Sequence, residues 1–124
     1  MNMKRHVLVV DDEKSTLALV CQLLEKLGHC TTPAHGGEEA LKSLANDIGI
    51  DVVLTDINMP VMDGWELAER IKATYPHLQI IAMTGESPGV VMPRLKTKGI
   101  SGALFKPFKM NQLKEVVSGG MALA

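Results

Sequence analysis

Val52-Val53-Leu54-Thr55-Asp56-Ile57-Asn58-Met59-Pro60 is the stretch that decides the fold. Its opening run is apolar and β-branched, without the alternation of a half-exposed strand, so it reads as a strand covered on both faces. Asp56 ends the run, where a buried strand would emerge into a loop. Open α/β sheets place their ligand sites at that point. Two other apolar runs repeat the arrangement. Val7-Leu8-Val9-Val10 leads into Asp11-Asp12, and Ala103-Leu104-Phe105 leads into Lys106. Three carboxylates and one amine at the ends of separate strands form a constellation suited to a metal-assisted reaction at Asp56.

Helical spacing fills the gaps between the runs. Leu17, Val20, Cys21, Leu24 and Leu27 recur at helical intervals, and Gly28 closes that helix. His29 to Ala34 is a weaker strand. Ala40, Leu41, Leu44, Ala45 and Ile48 form the next apolar face. Ile50 to Thr55 is the central strand. Asp63 caps a helix with Leu67, Ala68 and Ile71 inward, and Gly64 lets the chain turn. Gln79 to Met83 is the fourth strand and Ser101 to Phe105 the fifth. Between them, Pro93 predicts a short helix starting near itself and stopping at Gly99. Met110, Leu113, Val116 and Val117 mark a last helix, ended by Ser118-Gly119-Gly120.

Five such βα units predict an α/β fold, a doubly wound parallel sheet with helices on both faces. Right-handed crossovers put every βα loop on one edge. Asp11, Asp12, Asp56, Thr84 and Lys106 all fall at or just after strand ends on that edge.

The 124 residues correspond to one domain, 1–124, with no effector domain. The chain ends at Ala124, so it is expected to be either a stand-alone unit or a piece cut from a longer protein, and Met1 favours the first. The formal net charge is -1, which predicts neither nucleic-acid binding nor attraction to an anionic membrane. Asp11 and Asp12 cut the N-terminal apolar stretch too short for a signal peptide. No stretch approaches the roughly 18 apolar residues of a membrane helix, so no membrane insertion and a cytoplasmic location are expected. Cys21 and Cys30 match no zinc or redox spacing and read as two buried, reduced thiols.

Carboxylates alone suit a hard cation such as Mg²⁺. Asp12 and Asp56 could be direct ligands, with Asp11 holding a bound water. Crowded acids repel, so one tends to hold a proton. A carboxylate can also act as a nucleophile and form an aspartyl phosphate. The charge on a phosphoryl group in transfer is neutralised by a metal, an ammonium and an oriented hydroxyl. Mg²⁺ at Asp12, Lys106 and Thr84 fit those roles.

Taken together, Val9-Val10-Asp11-Asp12-Glu13, Thr55-Asp56 through Asn58-Met59-Pro60 to Met62-Asp63-Gly64, Met83-Thr84-Gly85 and Phe105-Lys106-Pro107-Phe108 resemble the receiver domain of two-component response regulators. The likeness runs the whole chain, in the family's order and spacing, nearest to its chemotaxis type. It implies a flavodoxin-like sheet of order 2-1-3-4-5. It also implies a switch rather than an enzyme, phosphorylated by a sensor histidine kinase or phosphotransfer protein and read by a downstream protein. Asp56 resembles the phosphoacceptor. Asp11, Asp12, Asp56 and the Asn58 backbone carbonyl resemble the ligands of Mg²⁺ (or Mn²⁺). Thr84 is similar to the switch hydroxyl and Lys106 to the phosphate-binding lysine. The Lys106-Pro107 bond is cis in many members. Asn58 and Glu86 occupy positions that tune dephosphorylation. One position departs: where the family often has an aromatic switch, this chain has Ala103.

Other readings stand beside this one. Asp11-Asp12 alone could be turn acids, Lys106 a surface lysine, and Thr84 a strand-end cap. Trp65 reads as partial core packing. His6, His29, His35 and His77 have no metal spacing. The methionines read as core filler, with Met59 and Met62 available to adapt to a partner. A phosphorylation-independent docking module is one alternative, because of Ala103. An aspartate-nucleophile phosphohydrolase is another, opposed by Asn58 where its second acid would stand.

Overall fold

The computed structural model describes residues 4–118. Five strands, β1 (His6–Val10), β2 (Cys30–Ala34), β3 (Val52–Asp56), β4 (Gln79–Thr84) and β5 (Gly102–Phe105), alternate with five helices. These are α1 (Lys14–Lys26), α2 (Gly37–Asn46), α3 (Gly64–Thr74), α4 (Pro88–Thr97) and α5 (Met110–Val117). The strands form one parallel sheet of order β2-β1-β3-β4-β5. The expected doubly wound order is therefore present.

Strand side chains alternate between two apolar layers, as the two-residue period requires. Leu8, Val10, Val53, Ile80 and Ala82 pack with α2, α3 and α4. Val7, Val9, Val52, Leu54, Ile81 and Met83 pack with α1 and α5. Neither layer leaves a face of β3 or β4 or most of β1 to water, which is why those runs are almost wholly apolar. Each fully buried Val, Leu or Ile contributes about 1.5–3 kcal/mol. The apolar layers, rather than helix propensity, hold these short helices.

The helix stops follow local chemistry. At Gly28 (φ +95°) the Gly28 N–H donates to the Glu25 carbonyl and the His29 N–H to that of Leu24. At Gly99 (φ +71°) the Gly99 N–H donates to Lys96 and the Ile100 N–H to Leu95. Both are left-handed caps that satisfy carbonyls the helix leaves open. The last helix reaches Val117, but Gly119 and Gly120 lie outside the described residues.

Four expectations need correction. α4 starts at Pro88, not near Pro93, and Pro93 lies inside it. Pro88 suits a first helical position, and burial of Val91 and Leu95 carries the helix past Pro93 despite an intrinsic cost of about 3 kcal/mol. Ile48 falls beyond the end of α2 and is fully exposed. Cys30 is exposed and Cys21 only half-buried, because β2 is an edge strand whose faces are partly covered. Met59 and Met62 are buried, so they pack the core instead of waiting for a partner.

Candidate functional site

β1 and β3 are neighbours in the sheet, with Val10 opposite Thr55. Each strand delivers an acid one residue further on. The Asp11 N–H continues the ladder by donating to the Ala34 carbonyl at 3.1 Å, and the Ile57 N–H donates to Met83 at 3.2 Å. This register brings Asp11, Asp12 and Asp56 together, with one carboxylate oxygen from each within 4.8 Å of the others. Asp11 and Asp56 are buried and Asp12 faces solvent.

Lys106 enters from β5, where its backbone N–H donates to the Thr84 carbonyl at 2.8 Å. Its ammonium lies 3.6 Å from Asp11 Oδ2 and 3.7 Å from Asp56 Oδ2. Those separations support ion pairing but exceed a hydrogen bond. Asp11 Oδ1 accepts from the Glu13 N–H at 2.9 Å, whereas its buried Oδ2 has no hydrogen-bond partner. A buried carboxylate oxygen without a donor is costly, and a cation among these acids would satisfy it. The donor set is all oxygen, which fits a hard divalent ion.

Burial raises the pKa of Asp56 above its ordinary value. The Lys106 ammonium opposes that, the Asp11 carboxylate adds to it, and backbone N–H groups of Asn58 and Ile57 oppose it. Asp56 Oδ1 lies 3.4 Å from the Asn58 N–H. Thr84 is fully buried at the end of β4, and its hydroxyl accepts from the Glu86 N–H at 3.0 Å. The Lys106-Pro107 peptide is cis. Ala103 is buried opposite Ala82.

Residues 7–118 match the response regulator receiver domain family. The chain belongs to that family. Solved relatives agree: a chemotaxis protein CheY4 of Vibrio cholerae is 30% identical with a TM-score of 0.87, covering 96% of this chain and 100% of its own. NtrX of Brucella abortus is 28% identical with a TM-score of 0.88, over 94% of this chain and 27% of its own. Among curated proteins, the autoinducer 1 sensor kinase/phosphatase LuxN of Vibrio harveyi is 37% identical over 94% of this chain. The virulence sensor protein BvgS of Bordetella pertussis is 37% identical over 95% of it. This receiver domain spans only 13% of LuxN and 10% of BvgS. Among its described residues no helix is long and apolar enough to cross a membrane.

Three features of this receiver domain escaped the sequence. Gly64 does more than let the chain turn: a Cβ there would lie 2.5 Å from the Asp56 carbonyl oxygen and 2.8 Å from Ile57 Cα. The α3 start therefore fits against the strand end only without a side chain. Asp63 is the expected cap, accepting from the Glu66 N–H at 2.8 Å. Val61, five residues after Asp56, has φ +70° and is fully exposed. The Met62 N–H donates to the Pro60 carbonyl at 2.7 Å across it, a tight and strained three-residue turn. Nothing in the sequence signals it, since β-branched residues avoid that region. Third, Trp65 is buried, and the Arg94 guanidinium stacks over its ring at 4.2 Å.

Proposed function

We propose that this receiver domain is a phosphorylation-dependent switch in which Asp56 takes a phosphoryl group from a phosphohistidine. The donor would be a sensor histidine kinase or a phosphotransfer protein. The observation that carries this reading is the cluster of Asp11, Asp12 and Asp56 with the Lys106 ammonium 3.7 Å from Asp56 Oδ2. Family membership supports it.

An Asp56 carboxylate oxygen forms the new O–P bond as the P–N bond of the phosphohistidine breaks. The imidazole leaves and takes up a proton. Mg²⁺ (or Mn²⁺), held by Asp11, Asp12, Asp56 and the Asn58 backbone carbonyl, would supply charge neutralisation for the phosphoryl oxygens. Lys106 supplies a second positive charge. Thr84 turns its hydroxyl from the Glu86 N–H toward a phosphoryl oxygen. The altered surface then binds a downstream protein target. No nucleic acid takes part, the domain works in the cytoplasm, and its only chemistry is self-catalysed phosphotransfer and autodephosphorylation.

Incubation with Mg²⁺ and radiolabelled acetyl phosphate tests the assignment. Label is expected on the wild type and not on Asp56→Asn. Equal labelling of both would sink it. Asn58, two residues after Asp56, and Glu86, whose N–H donates to the Thr84 hydroxyl, are both polar and can orient water for hydrolysis. A phosphorylated state lasting minutes rather than many hours is expected, measured by loss of label in a chase.

Ala103 favours a second reading, a docking module indifferent to phosphorylation. Target affinity with and without beryllofluoride separates the two, because a ligand with equal affinity for both states shifts no equilibrium.

A further inference from the structure

Among the described helices α4 alone carries an interior proline. Pro93 has no N–H, so the Gly89 carbonyl lacks the partner a continuous helix would give it. The two halves on either side of this break are held differently. Each half buries one side chain, Val91 before Pro93 and Leu95 after it, and Met92 is partly buried against the same core, while Pro88, Gly89 and Val90 are exposed. The first half hangs on Ser87, whose carbonyl accepts from the N–H groups of Val90 at 3.0 Å and Val91 at 3.2 Å. The second half is pinned to α3. Leu95 is buried, Arg94 stacks on Trp65 at 4.2 Å, and the Lys98 ammonium lies 3.4 Å from Glu69 Oε2.

We propose that α4 is two mechanical units joined at Pro93, and that the state of Asp56 is read on the Pro88–Met92 turn alone. This inference rests on the roles given above to Asp56 and Thr84. In the structure the Thr84 hydroxyl holds the Glu86 N–H at 3.0 Å. A hydroxyl that turns to a phosphoryl oxygen releases that N–H, and the Gly85-Glu86-Ser87 link must find another partner for it. Ser87 carries the first turn of α4 with it. The displacement ends at Pro93, where the ladder lacks one hydrogen bond, because Arg94 and Lys98 hold the remainder against α3. Ala103 has no side chain beyond Cβ to swing, so β5 offers no competing route. The surface that changes is the turn bearing Val90, which is 54% exposed.

The test is methyl NMR of the full chain with Mg²⁺, with and without beryllofluoride as the phosphoryl mimic on Asp56. Methyl signals of Val90, Val91 and Met92 are expected to shift, while those of Leu95 and Ala103 and the fluorescence of Trp65, the sole tryptophan, stay in place. In Pro93→Ala the ladder is continuous, so Leu95 and Trp65 are expected to join the response. Pro93 is exposed, so this variant keeps its core. Val91 and Leu95 shifting together in the wild type would overturn the inference. So would a Pro93→Ala response still confined to the first turn. A Thr84 methyl that responds while Val90, Val91 and Met92 do not overturns the α4 hinge but leaves the phosphoacceptor reading standing. No response even at Thr84 overturns both.

Discussion

At Asp56 burial and neighbouring charge pull in opposite directions, and burial prevails: the carboxyl pKa lies above its ordinary 3.8. An acid raised in this way binds more protons folded than unfolded. Its contribution to stability is therefore greatest at low pH and is lost as pH rises through the folded value. Metal-free Asp56→Asn should accordingly melt above the wild type at pH 7, with the difference shrinking toward pH 4. Calorimetry in chelator checks this, and equal melting temperatures at pH 7 would contradict it. Val61 is a second residue-scale case. A β-branched residue at φ +70° that buries nothing costs about 1–2 kcal/mol, partly offset by the extra freedom of an unfolded glycine. Val61→Gly should raise stability by about 1 kcal/mol in urea denaturation, and a fall would show that the valine makes a contact worth keeping. Asp56 was legible because a charge ending an apolar run is conspicuous. Val61 was not, because its backbone angle is imposed by the loop against its own preference.

At the level of elements, β3 and α3 meet with no room for a side chain at Gly64. Gly64→Ala places a methyl 2.5 Å from the Asp56 carbonyl oxygen, and overpacking of this kind costs roughly 1–3 kcal/mol. The variant should lose that stability and also label more slowly from acetyl phosphate, since the backbone that must move carries Asp56. Loss of stability with an unchanged labelling rate would confine Gly64 to packing. α4 is the element where sequence reading failed. Pro93 argued for a start near itself, but two buried side chains one turn apart, Val91 and Leu95, outweigh one lost hydrogen bond. β2 was legible as a strand but not as an edge, and that status is what exposes Cys30.

On the scale of the whole molecule, three carboxylates gathered on one sheet edge repel one another, with the Lys106 ammonium beside only Asp11 and Asp56. A ligand that binds only the folded state stabilises by about 2.7 kcal/mol at a hundredfold excess over its Kd. Mg²⁺ in that excess should raise the melting temperature of the wild type at pH 7 and leave Asp11→Ala nearly unmoved. An equal rise in both would place the cation elsewhere. The order of strands and helices, the parallel sheet and the edge on which Asp11, Asp12, Asp56, Thr84 and Lys106 gather were all written in the pattern of residue types. Burial on both faces writes uninterrupted apolar runs, and the hand of βα crossovers does the rest. Which atoms meet is a property of the folded chain: the unpartnered Asp11 Oδ2 beside Lys106, the Gly64 approach to Asp56 and the contacts of Arg94 and Lys98 with α3. Those depend on register and packing between segments far apart in the chain, and no local pattern of residue types encodes distances of that kind.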